Sequence, residues 1–106
     1  MRALVPTRPA TAPRHTWVIA YDIVDNRRRA RVAALLEGAG RRVQHSVFEC
    51  RLTERERGRL RHRVLSKVDL REDQVRWYPL CDPCVGRVVA VGQPEGPRPD
   101  EGYVIA

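Results

Sequence analysis

Arg42-Val43-Gln44-His45-Ser46-Val47-Phe48-Glu49-Cys50-Arg51-Leu52 is the longest β-prone stretch of the chain, and its division decides the fold. It reads either as one strand or as two strands joined by a tight bend near His45-Ser46. Before it, Trp17-Val18-Ile19-Ala20-Tyr21 is short and mostly apolar, which predicts a central strand. That strand runs out at Asp22-Ile23-Val24-Asp25-Asn26, where Asp25 or Asn26 can cap a helix. Val32, Leu35, Leu36 and Ala39 then recur at helical spacing, so residues 27–39 form a helix with one apolar face and Arg27, Arg28 and Arg31 off it. Gly38 and Gly40 end it, with Gly40 expected as a left-handed cap.

After the β-prone stretch, Thr53-Glu54-Arg55-Glu56 matches a capping box, in which the Thr hydroxyl and the Glu three residues on satisfy each other's backbone amides. Leu60, Val64 and Val68 mark the buried stripe of the helix that follows, with arginine around the rest. Residues 74–80 read as a strand, Cys81-Asp82-Pro83-Cys84 as a hairpin turn, and residues 86–91 as a further strand. Gly, Pro and acidic residues make 92–102 a loop, and Tyr103-Val104-Ile105 a short terminal strand. With the bend at His45-Ser46 the order is βαββαβ plus a C-terminal β extension. This is an α+β, ferredoxin-like fold, with one antiparallel sheet and two helices on one face. The other face stays open, and Trp17, Phe48 or Trp77 is expected on it, which favours a homodimer.

Three segments are expected: a flexible Pro-rich leader over 1–15, one folded domain over 16–93, and a loop with terminal strand over 94–106 that joins the dimer partner. No apolar run reaches the roughly 18–20 residues that span a bilayer, and 1–15 has no signal-peptide core, so no membrane association and a cytoplasmic location are expected. Three cysteines are too few for a disulfide framework, which fits a reducing compartment.

Charge points to an anionic partner. The chain carries +7, and 19 of its 20 basic residues are arginine, whose planar fork suits phosphate. Residues 25–67 hold +8, against +2 before them and −3 after. A basic middle of this kind is the footprint of a nucleic-acid surface, or else a solvated arginine surface.

The residue types that carry chemistry are few. Asp22 closes the first strand, where it either ligates a hard cation or caps a turn. Asp25 is better used as a helix cap. His45 titrates near neutrality but falls at the bend, so it is read as structural. Cys81-x-x-Cys84 is half a zinc site at most, since Cys50 is the only other thiol, and a thioredoxin-like pair should open a helix after a strand.

Tyr21-Asp22-Ile23, Arg29 and Arg31, and the run Gly40-Arg41-Arg42-Val43-Gln44-His45-Ser46-Val47-Phe48-Glu49-Cys50 together resemble the second CRISPR-associated protein family, the small nuclease partner of the CRISPR integrase, over roughly residues 16–93. The resemblance implies a ferredoxin-like cytoplasmic homodimer that acts with the integrase in spacer acquisition. Some members cleave RNA or double-stranded DNA with Mg2+ or Mn2+, and others serve as a DNA-binding scaffold. It further implies Asp22 as metal ligand and catalytic residue, doubled across a two-fold axis, with Arg29 and Arg31 at positions tied to nuclease function. Tyr21, Arg27, Arg28, Arg42 and Phe48 complete the expected nucleic-acid contacts, although Tyr21 equally suits a buried place with its hydroxyl satisfied, Phe48 better suits a core or dimer interface than base stacking, and Arg42 also suits an ion pair with Glu37 or Glu49. A toxin-like ribonuclease of the same fold is the third reading, and the Val-Gln-x-Ser-Val-Phe-Glu block speaks against it.

Overall fold

The structure is a computed structural model that describes residues 12–92 and 104–105. In chain order the elements are β1 (His15–Asp22), α1 (Asn26–Ala39), β2 (Arg41–Gln44), β3 (Val47–Leu52), α2 (Glu54–Leu65), β4 (Gln74–Leu80), α3 (Asp82–Val85), β5 (Val89–Ala90) and β6 (Val104–Ile105). The long β-prone stretch is two strands, with its turn at His45-Ser46. β1 to β4 form one sheet in the order β2-β3-β1-β4, antiparallel at every pair. This is the ferredoxin-like arrangement, α+β in class.

Strand parity assigns the two faces of the sheet. Cross-strand partners share a face, so Trp17 with Cys50 and Pro79, Ile19 with Phe48 and Trp77, and Tyr21 with Val75 lie together. Here α1 sends in Val32, Ala33 and Leu36, and α2 sends in Leu60 and Val64. Ile19, Val32, Leu36 and Phe48 are completely buried. Each apolar side chain so buried contributes about 1.5–3 kcal/mol of transfer free energy. The expectation that Trp17, Phe48 or Trp77 lies on the bare face is therefore overturned. The apolar run of β1 is almost continuous, so composition could not say which parity the helices would cover.

The bare face carries smaller and more polar residues: Thr16, Val18, Ala20 and Asp22 of β1 with Arg51, Glu49 and Val47 of β3 and Leu80, Tyr78, Arg76 and Gln74 of β4. α3 contacts β1, and Val85 shares a shallow cleft with Thr16, Glu49 and Arg51, so one end of this face is partly covered. That explains why Thr16 is buried. Its hydroxyl accepts a hydrogen bond from Arg51 Nη1 at 3.2 Å.

Three further local expectations change. Gly40 has φ −166°, which is extended rather than left-handed. Glycine is required for a different reason: a Cβ there would collide with the Glu49 carbonyl oxygen and the Cys50 sulfur as β3 passes. The Cys81–Cys84 segment is no hairpin turn, since Cys81 precedes the single helical turn of α3. The strand expected over 86–91 shrinks to Val89–Ala90, paired in parallel with Val104–Ile105 of the same chain. Residues 1–11 of the leader, and 93–103 of the acidic loop, lie outside the described residues. No helix among the described residues is long and apolar enough to cross a membrane.

Candidate active site

The site is built at the junction from β1 to α1. β1 ends at Asp22, which is exposed on the bare face and makes no side-chain hydrogen bond or ion pair among the described residues. The next residues turn the chain into α1. Ile23 is buried as an anchor, Val24 is 73% exposed, and Asp25 caps the helix by accepting from the Arg28 amide at 2.9 Å. That bond, with the positive charges of Arg28 and Arg27, holds the Asp25 carboxyl below its ordinary pKa.

Two arginines hold this junction in shape. Arg29 reaches back along its own helix, and its Nη1 donates to the Ile23 and Val24 carbonyls at 2.8 and 3.3 Å, while Nη2 donates to Asn26 Oδ1. Arg28 reaches across to the α2–β4 connection, donating to Asp73 through Nε at 2.7 Å and Nη2 at 3.1 Å, and to Glu72 at 3.1 Å. The Asp73 side chain is wholly inaccessible to solvent, and it also accepts from the Asp69 amide at 2.8 Å. The Arg28 guanidinium first, and the Asp69 amide after it, pull the Asp73 carboxyl below its usual range.

Beneath the junction, Tyr21 stacks on Phe48 at 6.3 Å between ring centroids. The Tyr21 hydroxyl donates to the His45 carbonyl at 3.3 Å, and burial raises its pKa. The Tyr21 amide donates to the Ser46 carbonyl at 3.0 Å. The β2–β3 turn is thus fastened beside the end of β1. Arg42 lies over the Phe48 ring at 5.1 Å and pairs with Glu37 at 3.2 Å.

Residues 15–88 match the family model described as CRISPR associated protein Cas2. The chain belongs to the Cas2 family. It is 42% identical over 89 residues to a CRISPR-associated endoribonuclease Cas2 of Synechocystis, covering 84% of this chain and 97% of the relative. A CRISPR-associated endonuclease Cas2 of Thermus thermophilus is 44% identical over 84 residues, covering 79% and 87%. The crystal structure of Streptococcus pyogenes Cas2 is similar at a TM-score of 0.68 with 33% identity, over 73% of this chain and 99% of that one.

In this Cas2 chain the expected site residues separate into three groups. Asp22 and Arg31 are exposed, and Arg31 makes no hydrogen bond or ion pair among the described residues. Arg27 is exposed as well, its charge acting on Asp25. These three face solvent. Arg28, Arg29 and Arg42 are committed to partners inside the chain, the last to Glu37 as one of the sequence readings allowed. Tyr21 and Phe48 are buried, Phe48 completely, so neither ring can stack on a base, and their expected role as nucleic-acid contacts is corrected to that of a supporting core. Sequence reasoning missed Asp73. It lies outside every periodic pattern, and only its place just before a strand distinguishes it.

Asp22 is the exposed carboxylate of this junction that could serve as a metal donor. A carboxylate is the right donor for a hard divalent cation, but one is too few. Among the described residues no cluster of three or more His, Cys, Asp or Glu side chains could hold an ion. The donor chemistry fits magnesium only if a second copy brings its own Asp22.

A second basic surface lies on α2. Arg55, Arg59, Arg61 and Arg63 are exposed and form no ion pair among the described residues. Arg57 differs: it pairs with Glu54 at 3.0 Å and lies over Trp17 at 5.2 Å.

Proposed function

We propose that this chain is a CRISPR-associated, metal-dependent endonuclease that cleaves RNA or double-stranded DNA as a homodimer in the cytoplasm and acts in spacer acquisition with the CRISPR integrase. The observation that carries this reading is Asp22, an exposed carboxylate with no partner among the described residues, at the end of a strand on the sheet face that the helices leave bare. Two copies packed through that face would bring two Asp22 carboxylates to one axis. Together they would hold one hydrated Mg2+ or Mn2+. Such an ion supplies a lowered pKa for a bound water and a positive charge for the scissile phosphate.

The protein's own part is positioning. Arg29 fixes the two carbonyls that follow Asp22, so the backbone that presents the carboxylate at the rim is held in place. Arg27 and Arg31, exposed on the first two turns of α1, are placed to bind phosphate oxygens. The two-residue ladder of β5 and β6 is short, so moving β6 to the sheet edge of a second copy would cost little and would extend the dimer contact.

A second reading, a non-catalytic DNA-binding scaffold of the integrase complex, is favoured by the lack of a metal-binding cluster among the described residues together with the α2 arginines that form no ion pair among them. One experiment separates the two. The purified chain is incubated with single-stranded RNA and with duplex DNA, in Mg2+, in Mn2+ and in EDTA, with its mass in solution followed by light scattering. Metal-dependent cleavage by a dimer supports the nuclease. Salt-sensitive duplex binding without cleavage in any metal establishes the scaffold. A monomer at micromolar concentration sinks the shared metal site in either case.

A further inference from the structure

Cys81 and Cys84 take no part in the site described above. They lie at the opposite end of β1 and β4: Asp22 pairs with Gln74, whereas Thr16 pairs with Leu80, next to Cys81. Six residue steps along the strand separate these ends, about 20 Å.

The local build is specific. Cys81 follows a strand and immediately precedes the helical turn of α3, the placement a redox pair needs. The Cys84 and Val85 amides donate to the Cys81 carbonyl at 2.9 and 3.1 Å, and the Arg87 amide donates to the Cys84 carbonyl at 3.0 Å. These bonds fix the backbone, so the two side chains meet without any loop having to close. The sulfurs are 2.9 Å apart and both cysteines are free thiols. Bonding them at about 2.05 Å takes only a small side-chain adjustment.

We propose that Cys81 and Cys84 form a closable dithiol, a site of reversible exchange with a small-molecule disulfide. The two sulfurs have different roles. Cys81 is exposed, and contact with Cys84, through its sulfur and then its amide, draws the Cys81 thiol below its ordinary pKa. The same contact raises Cys84, which is half-buried. Cys81 therefore attacks as thiolate. It forms a mixed disulfide with one half of the reagent and expels the other half as a thiolate. Cys84 then gives its proton to solvent and attacks the Cys81 sulfur, expelling the second thiolate. Two protein thiols are oxidised and one disulfide is reduced to two thiols, so electrons balance. Cys50 is the internal control. It is buried, and burial first and the Glu49 charge second push its pKa up to about 11, so it stays unreactive. In a reducing compartment such a pair would be a transient, redox-responsive bond and not a permanent staple.

The test uses the full chain, reduced, desalted and equilibrated with graded ratios of reduced to oxidised glutathione. Samples are then acid-quenched, unfolded and alkylated for mass analysis. The expected result is loss of two of the three alkylatable thiols in one step, with the linked peptide spanning Cys81 and Cys84. Cys84→Ser should instead accumulate a glutathione adduct on Cys81, at several times the level that Cys81→Ser accumulates on Cys84. The inference is overturned if all three thiols survive the most oxidising buffer, or if oxidation links two chains in place of closing one. It is also overturned if zinc, at one ion per two chains, shields all four cysteines from the oxidant, because the pair is then half of a metal site.

Discussion

The two strand-to-helix junctions of the βαββαβ frame hold equivalent positions and are built in opposite ways. From β3 to α2 the chain uses one residue, Thr53, which is buried. Its hydroxyl accepts from the Glu56 amide at 3.1 Å, and Glu56 Oε1 accepts from the Thr53 amide at 2.9 Å. The cap itself is local, its two polar groups closing on one another, and Glu56 adds only an exposed pair with Arg14 at 3.1 Å. From β1 to α1 the chain uses three residues, and local capping by Asp25 is only part of the support. Arg29 holds two carbonyls, and Arg28 anchors the junction to Asp73, 45 residues away. After all this bonding Asp22 remains exposed, with no partner among the described residues. A junction that only had to turn the chain would resemble the second. The extra length and the remote arginine ties of the first are explained if its task is to present a carboxylate in a fixed place.

The largest effect expected from that contrast is at Asp22. Asp22→Asn keeps the side-chain shape and removes the charge, two charges per dimer. Metal-dependent cleavage should fall by about 100-fold or more, the range typical for loss of a principal electrostatic group. The melting temperature should hold or rise slightly, because the Asp22 side chain makes no hydrogen bond or ion pair among the described residues. Cleavage at the parental rate by a dimeric Asp22→Asn would place the chemistry elsewhere.

Arg29 comes next. Arg29→Ala removes the donors to Ile23, Val24 and Asn26, so the carboxylate is still present but loosely placed. About a 10-fold loss in kcat is expected, with KM for the nucleic acid little changed, because misplacement costs rate before it costs binding. Arg29→Lys should restore part of it. If KM rises instead and kcat holds, Arg29 contacts substrate directly, as its position in the sequence first suggested.

How much of this was legible follows the same division. The second junction could be read residue by residue: Thr53 and Glu56 are three apart, and a capping box needs no tertiary information. The Asp25 cap and most of both apolar faces were legible for the same reason, although α2 ends at Leu65 and leaves Val68 outside the helix, and α1 buries Ala33 as well. What depends on distant chain segments was not. Nothing near Arg28 announces Asp73, and nothing near Gly40 announces the crowding that β3 brings. Cys81-Asp82-Pro83-Cys84 misled because Asp and Pro suit the first turn of a helix as well as a hairpin. Asp22 and Arg31 stayed exposed as their charge suggested, whereas Tyr21 and Phe48 were claimed by the core.

The remote tie can be broken by itself. Asp73→Asn keeps the shape but gives up the charge that faces Arg28, so the variant should melt several degrees below the parent at neutral pH. The difference must depend on pH with a definite sign. The folded-state pKa of Asp73 is lowered from 3.8, so its contribution is fully present above that value and is lost as pH falls through the lower folded value. Melting curves of the two proteins should therefore run parallel from neutrality down to about pH 4 and converge only below it. Convergence at a higher pH would mean that another group dominates this tie.

The smallest effect belongs to the closed junction. Thr53→Ala removes the hydroxyl that accepts from the Glu56 amide, and caps of this kind contribute about 1 kcal/mol. In a domain of this size that is roughly a 4–8 °C fall in melting temperature. Thr53→Ser keeps the oxygen and should recover most of it. Glu56 loses one end of its reciprocal bond, but its other partner, Arg14, is untouched at 3.1 Å, so α2 should fray by a turn and not unfold. The decisive readout is cleavage measured well below the melting point. Thr53 has no tie to the β1–α1 junction, so the rate of Thr53→Ala should match the parent's within a factor of two or so. A larger loss would show that the two junctions are mechanically coupled through the sheet, and the contrast between a turn built to close and a turn built to present would then fail.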